Sequence, residues 1–345
     1  MTDIQRSAAP GTTTDTYRAL VCHRLSEDLS GVEMRSLPRV APGPREVAVD
    51  LRAASVNFPD LLMTKGLYQF RPDPPFVLGM EGAGIVAAVG SEVTEFSVGD
   101  RVLAHQKTGC YAERIVLPAA GVRALPARLD FAQGAAFQAA AITSYVALVR
   151  KGALAAGETL LVHGASGGVG MAAVQLGRHL GARVIATGTS DEKLAIVREQ
   201  GAHEVINLTR EDLRERVKEL TGGRGADVIY DPIGGDVFDA STRCIAWDGR
   251  LLVIGFVSGR IPTIAANIPL IKGFSVVGVR AGEYGRRNPL KGAENLRAID
   301  LLAEQGVFRP YVGARFPLER ALDALRHIAD RKVVGKVVIE MPAAV

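Results

Sequence analysis

Cysteine is scarce in this 345-residue chain, and the three present, Cys22, Cys110 and Cys244, lie far apart. No two form a C-x-x-C pair, and so sparse and odd a set excludes a disulfide framework and fits free, buried thiols in a reducing compartment. No apolar run is long enough to span a bilayer, so no transmembrane helix is expected. Runs of like charge are also missing. Lys and Arg number 41 against 37 Asp and Glu, a net +4 spread along the chain, which lends slight support to an anionic ligand and none to a dedicated nucleic-acid surface. The opening "MTDIQRSAAPGTTTDT" lacks an apolar h-region. It reads as a disordered tail over residues 1–15, with no signal or transit peptide, which leaves the cytoplasm as the default compartment.

Glycine, by contrast, is abundant at 38 residues, and four of them crowd into "VHGASGGVG" at 162–170. The stretch stands where the texture of the chain changes. From about 17 to 135, short apolar runs such as "EVAVDLRAASVN", "GAGIVAAVG" and "YAERIVL" alternate with Gly and Pro and read as β-strands joined by turns. "AAFQAAAITSYVALVR" at 135–150 predicts a helix. After it come "TLLVH", a helix over 167–180, "RVIAT", a helix over 191–200, "EVIN", "ADVIYD", "GRLLVIGF" and, at the edge, "FSVVGV". Such βαβαβ order predicts an α/β fold with a doubly wound parallel sheet. Helices near 292–305 and 318–330 lead to a last strand, "GKVVIE", in a tail read as returning to the first domain.

The glycine turn leaves the first strand of this unit and opens its first helix. One reading is a tight turn that lets helix and strand pack closely. The other is a seat for a pyrophosphate, stabilised by unpaired N–H groups and the positive end of the helix dipole. The match to G-x-G-x-x-G is imperfect, with Ala165 in the first glycine slot and Gly164 one step earlier. The strand–helix context nevertheless favours a dinucleotide. Gly167 and Gly168 would admit phosphate oxygens, Gly170 would bring the helix close to the sheet, and Gly164, Ala165, Ser166 and Val169 complete the loop. At the end of the second strand, where an NAD-selective site carries Asp or Glu, this chain has Gly188. Thr189, Ser190 and Lys193 offer donors for a 2′-phosphate, so NADPH is expected. The competing reading is structural: Thr189 and Glu192 fit a capping box, and Asp191 and Glu192 blur the charge balance.

Over nearly its whole length after the tail, the chain resembles the zinc-independent quinone oxidoreductase and zeta-crystallin branch of the medium-chain dehydrogenase/reductase superfamily. "VNFPDLLMTKGLY", "PFVLGMEGAGIVAAVG", "QAAAITSYVAL", "LLVHGASGGVGMAAVQLGRHLGARVIAT", "GRLLVIG" and "VVGKVVI" carry the likeness. The resemblance implies a GroES-like β-barrel domain at 16–138 and 285–345, a Rossmann domain at 139–284, the coenzyme in the cleft between them, and homodimers paired through the last Rossmann strands. It also implies contacts from Thr143, from Gly255 and Phe256, and from Lys336, which as a surface residue of the closing strand would equally do nothing.

In the zinc-dependent relatives a metal sits where this chain has Asn57, Met80 and roughly Ala139. None is a good zinc ligand, and no metal is expected. Without a metal, the charge that develops on a substrate oxygen must be met by hydrogen-bond donors. That points to electron-poor acceptors, quinones or α,β-unsaturated carbonyls. Asn57 is the first candidate donor, or a turn cap before Pro59. Tyr68 is the second, or a half-buried packing residue. Lys65 reads as a loop charge and Asp231 as a turn-former before Pro232. Two alternatives stay open: an enoyl-thioester reductase, for which Arg71, Arg286 and Arg287 could form a basic groove, and an NADPH-binding structural or RNA-binding protein.

Overall fold

The structure, a computed structural model, describes residues 15–330 and 332–342. The expected N-terminal tail lies outside them except for Asp15. The chain divides into two compact units, one of residues 1–138 and 312–345, the other of 139–311.

The first unit is built on strands β1 (Thr16–Cys22), β2 (Val32–Pro38), β3 (Glu46–Val56), β4 (Phe76–Val77), β5 (Glu81–Val89), β6 (Arg101–His105), β7 (Arg114–Pro118) and β8 (Val122–Ala124), with helices α1 (Phe58–Thr64) and α2 (Phe131–Ala135). After the second unit the chain adds β15 (Val312–Pro317), α11 (Ala321–Ala329) and β16 (Lys336–Glu340). Antiparallel pairing of β16 with β3 seats this return segment, with Val338 opposite Ser55 and Ile339 opposite Ala54. Strand order is β15-β16-β3-β5-β6-β8 in one sheet, with β7 also on β3, and β2-β1-β4 in a second. Val47, Val49, Leu51, Phe76, Tyr111 and Leu117 are buried in its core together with Leu325, Val337 and Ile339, so α11 and β16 belong here because their apolar face does.

The second unit runs α3 (Gln138–Tyr145), β9 (Thr159–Val162), α4 (Gly168–His179), β10 (Arg183–Gly188), α5 (Asp191–Glu199), β11 (Glu204–Asn207), α6 (Leu213–Leu220), β12 (Ala226–Asp231), α7 (Gly235–Ser241), β13 (Ile245–Val253), α8 (Asn267–Lys272), β14 (Ser275–Gly278), α9 (Ala281–Arg287) and α10 (Pro289–Glu304). Its sheet is parallel with order β11-β10-β9-β12-β13-β14, the doubly wound order of a dinucleotide-binding sheet. Leu161, Ile185, Ile206, Ile229 and Leu251, one from each of five strands, pack its centre.

One domain boundary is corrected. Residues 285–311, expected with the first domain, pack in the second unit. Helix α10 buries Asn295, Ile299 and Ala303, Arg150 Nε donates to Asn295 Oδ1 at 2.7 Å, and Gln175 Nε2 donates to the Arg309 carbonyl at 2.9 Å. All three cysteines are free and buried. Among the described residues no helix is long and apolar enough to cross a membrane.

Candidate active site

The glycine turn follows β9, the first strand of the second unit. Gly164 takes φ +55°, a left-handed value that favours glycine, and a Cβ there would meet Ile233 Cδ1 at 2.8 Å. A Cβ on Gly170 would strike the Gly164 carbonyl oxygen at 2.5 Å and Ala165 Cα at 2.8 Å. These two glycines are therefore required by packing alone. Gly167 is different. Its φ is −82°, and a Cβ would come no closer than 3.4 Å to anything, the Gly164 oxygen. Among the described residues nothing in the packing asks for glycine there, and the space is a cradle a side chain would fill.

Gly167 is also the N-cap of α4 and gives no side-chain cap. Met171 N donates to its carbonyl at 2.8 Å, so the N–H groups of Gly168, Val169 and Gly170 have no carbonyl one turn back. Ser144, a residue sequence reasoning missed, shares its one O–H between the Ala140 carbonyl of its own helix at 3.0 Å and the Val169 carbonyl at 3.1 Å, and so links the turn to α3. Ala165 is buried, and its N–H bonds to the Thr187 carbonyl at 3.1 Å. The Thr143 hydroxyl donates to its own helix, at the Ala139 carbonyl, 2.7 Å away. Gly255 lies beside Pro232, and Phe256 is exposed.

Beyond β10, Gly188 is paired in register with Asn207 of β11. Ser190, not Thr189, caps α5, accepting from Lys193 N at 3.3 Å. The cap thus stands one residue later than expected, with Lys193 rather than Glu192 three positions on, and the expected Thr189–Glu192 box is not formed. Asp191 is occupied: Asn207 Nδ2 donates to its Oδ1 at 2.9 Å and Arg210 Nη1 lies 2.6 Å from its Oδ2. The Asn207 amide and then the Arg210 charge hold this carboxyl below its usual range. Arg210, unread in the sequence, brings a guanidinium to the end of β10.

Behind the turn stands His163, fully buried, with Nδ1 2.9 Å from Thr187 Oγ1 and Nε2 2.8 Å from Ser241 Oγ. Burial pushes its pKa down to about 4, and Asp231 opposes that weakly, so the ring is neutral. Asp231 accepts from Ile233 N and Gly234 N at 2.8 and 2.9 Å, the turn-forming role read for it.

In the first unit a buried polar cluster surrounds Asn57. Lys336, expected as a coenzyme contact, donates from Nζ to Asn57 Oδ1 at 2.7 Å and to Glu81 Oε1 at 3.0 Å. Lysine can only donate, so the atom facing it is the amide oxygen, and Nδ2 is left to find other acceptors. That nitrogen donates to Glu81 Oε1 at 3.0 Å and to the Ser55 carbonyl at 3.3 Å. The expectation that Asn57 donates to substrate is corrected here: both of its N–H bonds are committed to the protein. Asn57 N donates to Asp60 Oδ2 at 2.9 Å, and the Tyr111 hydroxyl donates to the same oxygen at 2.7 Å. Desolvation raises the Asp60 carboxyl to about 7 against the pull of these two bonds. Tyr68 is partly buried against the apolar core. Lys65 pairs with Glu27 at 3.3 Å. Arg286 and Arg287 both pair with Glu283, at 2.7 and 2.9 Å, which lowers their worth as a basic groove.

The residues present do not fit zinc. Asn57 already receives an ammonium, Met80 and Ala139 offer no zinc donor, and among the described residues no three His, Cys, Asp or Glu side chains are grouped to hold a metal ion.

Two family profiles match: an alcohol dehydrogenase GroES-like domain over residues 43–127 and a zinc-binding dehydrogenase over 168–299. The chain is 40% identical over 326 residues to quinone oxidoreductase-like protein 2 homolog of Nematostella vectensis, covering 94% of this chain and 88% of that one. It is 39% identical over 310 residues to a quinone oxidoreductase of Pseudomonas aeruginosa, covering 89% and 95%. Among solved structures, the Escherichia coli quinone oxidoreductase complexed with NADPH superposes with a TM-score of 0.85 at 31% identity, over 94% of this chain and 99% of that one. Folds and matches together define an oxidoreductase. The chain belongs to the medium-chain dehydrogenase/reductase superfamily, in its quinone oxidoreductase-like branch.

Proposed function

We propose that this protein is an NADPH-dependent reductase that transfers hydride to quinones or α,β-unsaturated carbonyls without a metal. The observation that carries the reading is Gly167, glycine with no packing reason among the described residues, at the N-terminus of a helix whose first amides have no backbone acceptor among them. The Escherichia coli relative's NADPH complex supports it. When bound, the coenzyme supplies the hydride. The amides of Gly168, Val169 and Gly170 bind its pyrophosphate, and Ser144 holds the turn in place. Lys193 and Arg210 meet a 2′-phosphate, with the Asp191 charge offset by Arg210 and its other oxygen held by the Asn207 amide, so that its repulsion is reduced. Thr143, Gly255 and Phe256 flank the nicotinamide, and Tyr68 and the Asn57 cluster receive the substrate. Side-by-side NADPH oxidation assays with 1,4-benzoquinone, 9,10-phenanthrenequinone and crotonyl-CoA test it. Quinone turnover supports the reading, and turnover of crotonyl-CoA alone contradicts it.

The protein on this reading is a cytoplasmic homodimer. Strand β14 is the sheet edge, with Val276 exposed, and α8 buries none of its residues, leaving Leu270 80% and Ile271 69% exposed. A second copy pairing along that edge would cover them. Light scattering that gives the mass of a single chain would contradict the dimer.

A further inference from the structure

Hydride arriving at a conjugated carbonyl leaves negative charge on oxygen, and a proton must follow. Among the described residues of the first unit, one lysine ammonium is buried. Lys336 is 7% exposed and its carboxylate partner Glu81 2%. A buried ion pair of this kind gains little stability over apolar residues of similar volume, so its presence calls for a use. Of the three Lys336 N–H bonds, one goes to Asn57 Oδ1 and one to Glu81 Oε1. The third has no protein acceptor among the described residues. Two of the neighbouring donors are spent, while Ser55 Oγ and His105 Nδ1, neutral groups beside Glu81, lie buried without a partner and leave Lys336 the one charged donor. Asn57 Nδ2 serves Glu81 and Ser55, and the Tyr111 hydroxyl serves Asp60 and the Ser55 carbonyl.

Resting on the reductase reading above, we propose that Lys336 is the catalytic acid, its free N–H stabilising the substrate oxyanion and then protonating it. The hydride would be supplied to the conjugated system by the reduced coenzyme when bound, which is oxidised in return. The electron pair displaced from the acceptor's π-system settles on the carbonyl oxygen. An N–H bond of Lys336 breaks as the O–H bond forms, leaving a neutral amine that takes a proton back from water. Glu81 and Asn57 are positioning residues, fixing the ammonium by two of its three bonds.

The test uses the full chain carrying Lys336→Met, Lys336→Arg and the double variant Lys336→Met/Glu81→Gln, which leaves no unpaired buried charge. Lys336→Met is expected to bind NADPH as the wild type does, by fluorescence titration, with KM for 9,10-phenanthrenequinone unchanged and kcat lowered about 10²–10⁴-fold. The arginine variant recovers part of that loss. The double variant melts like the wild type and stays as slow as Lys336→Met. A second readout needs no turnover. With NADP⁺ bound, the wild type takes up 4-nitrophenol as its coloured anion, and Lys336→Met does not. Unchanged kcat or undiminished phenolate binding in Lys336→Met overturns the proposal, as does a loss of NADPH affinity that accounts for the whole defect. If the wild type reduces neither quinone nor enone yet binds the phenolate through Lys336, the reductase reading fails and the oxyanion site stands.

Discussion

Nζ of Lys336 lies 2.7 Å from Oδ1 of Asn57, across 279 residues of chain. That contact fixes which way the Asn57 amide faces, and with it which donors in the cluster remain for a ligand. A unit charge thus stands beside the residue that the sequence resemblance puts in a metal-ligand position. Asn57→Ala removes one of two tethers on the ammonium. The expected outcome is a fall in kcat of about tenfold, equivalent to a bond worth roughly 1.5 kcal/mol, with NADPH affinity unchanged. Steady-state kinetics beside a coenzyme titration check both.

Gly167 and Gly170 are three residues apart and predict opposite phenotypes. Gly167→Ala keeps the fold, because its Cβ meets only an oxygen at 3.4 Å, and weakens NADPH binding about tenfold or more, since the methyl group stands where phosphate would approach the backbone. Gly170→Ala drives a Cβ into backbone at 2.5 Å and lowers the melting temperature. Thermal melts with and without NADPH separate the two.

Arg210 should be read only by the phosphorylated coenzyme. Arg210→Gln is expected to weaken NADPH about tenfold, as for one lost charge-assisted hydrogen bond, and to leave NADH unchanged. Binding of 2′,5′-ADP against 5′-ADP reports the same contrast without catalysis.

Asp60 makes the first unit less stable as pH rises. Its carboxyl titrates near 7 in the fold and near 3.8 unfolded, so between those values the native state binds the extra proton and stability falls with increasing pH. At about 1.4 kcal/mol per unit, the loss across the window is of the order of a few kcal/mol. Asp60→Asn removes that slope, which urea unfolding at pH 5 and pH 8 measures.

His163 acts in the opposite direction. Held neutral with a pKa of about 4 against 6.5 unfolded, it costs the second unit stability as pH drops from 6.5 towards 4, where the unfolded chain takes up the proton first. His163→Gln flattens that part of the profile, leaving the Asp60 slope intact.

Much of the fold was legible beforehand because its local signals are redundant. β9, the glycine turn and α4 announce one another: Thr159 and three aliphatic residues, all buried, a turn, then Val169, Ala173 and Leu176 at helical spacing. Helix α8 was not read, since none of its six residues is buried and an element without a buried face leaves no periodicity. α10 was read as a helix and assigned to the wrong unit, because its home is decided by Arg150 and Asn295, 145 positions apart. The site divides the same way. Gly167 is visible as a local extravagance, and Asn57 as a residue in a metal's slot. That Asn57 had spent its donors, and that Lys336 had not, depends on a side-chain contact between strands far apart in sequence. His163 carried no signal at all, a polar residue at a strand end.

The most direct test of metal-free reduction is NADPH oxidation by 9,10-phenanthrenequinone, followed anaerobically, on protein whose zinc content is measured in the same preparation and again after incubation with 1,10-phenanthroline. The expected result is quinone-dependent turnover at a zinc content far below one per chain, unchanged by the chelator. Stoichiometric zinc with activity lost on chelation, or no oxidation of either nicotinamide coenzyme, would contradict the account.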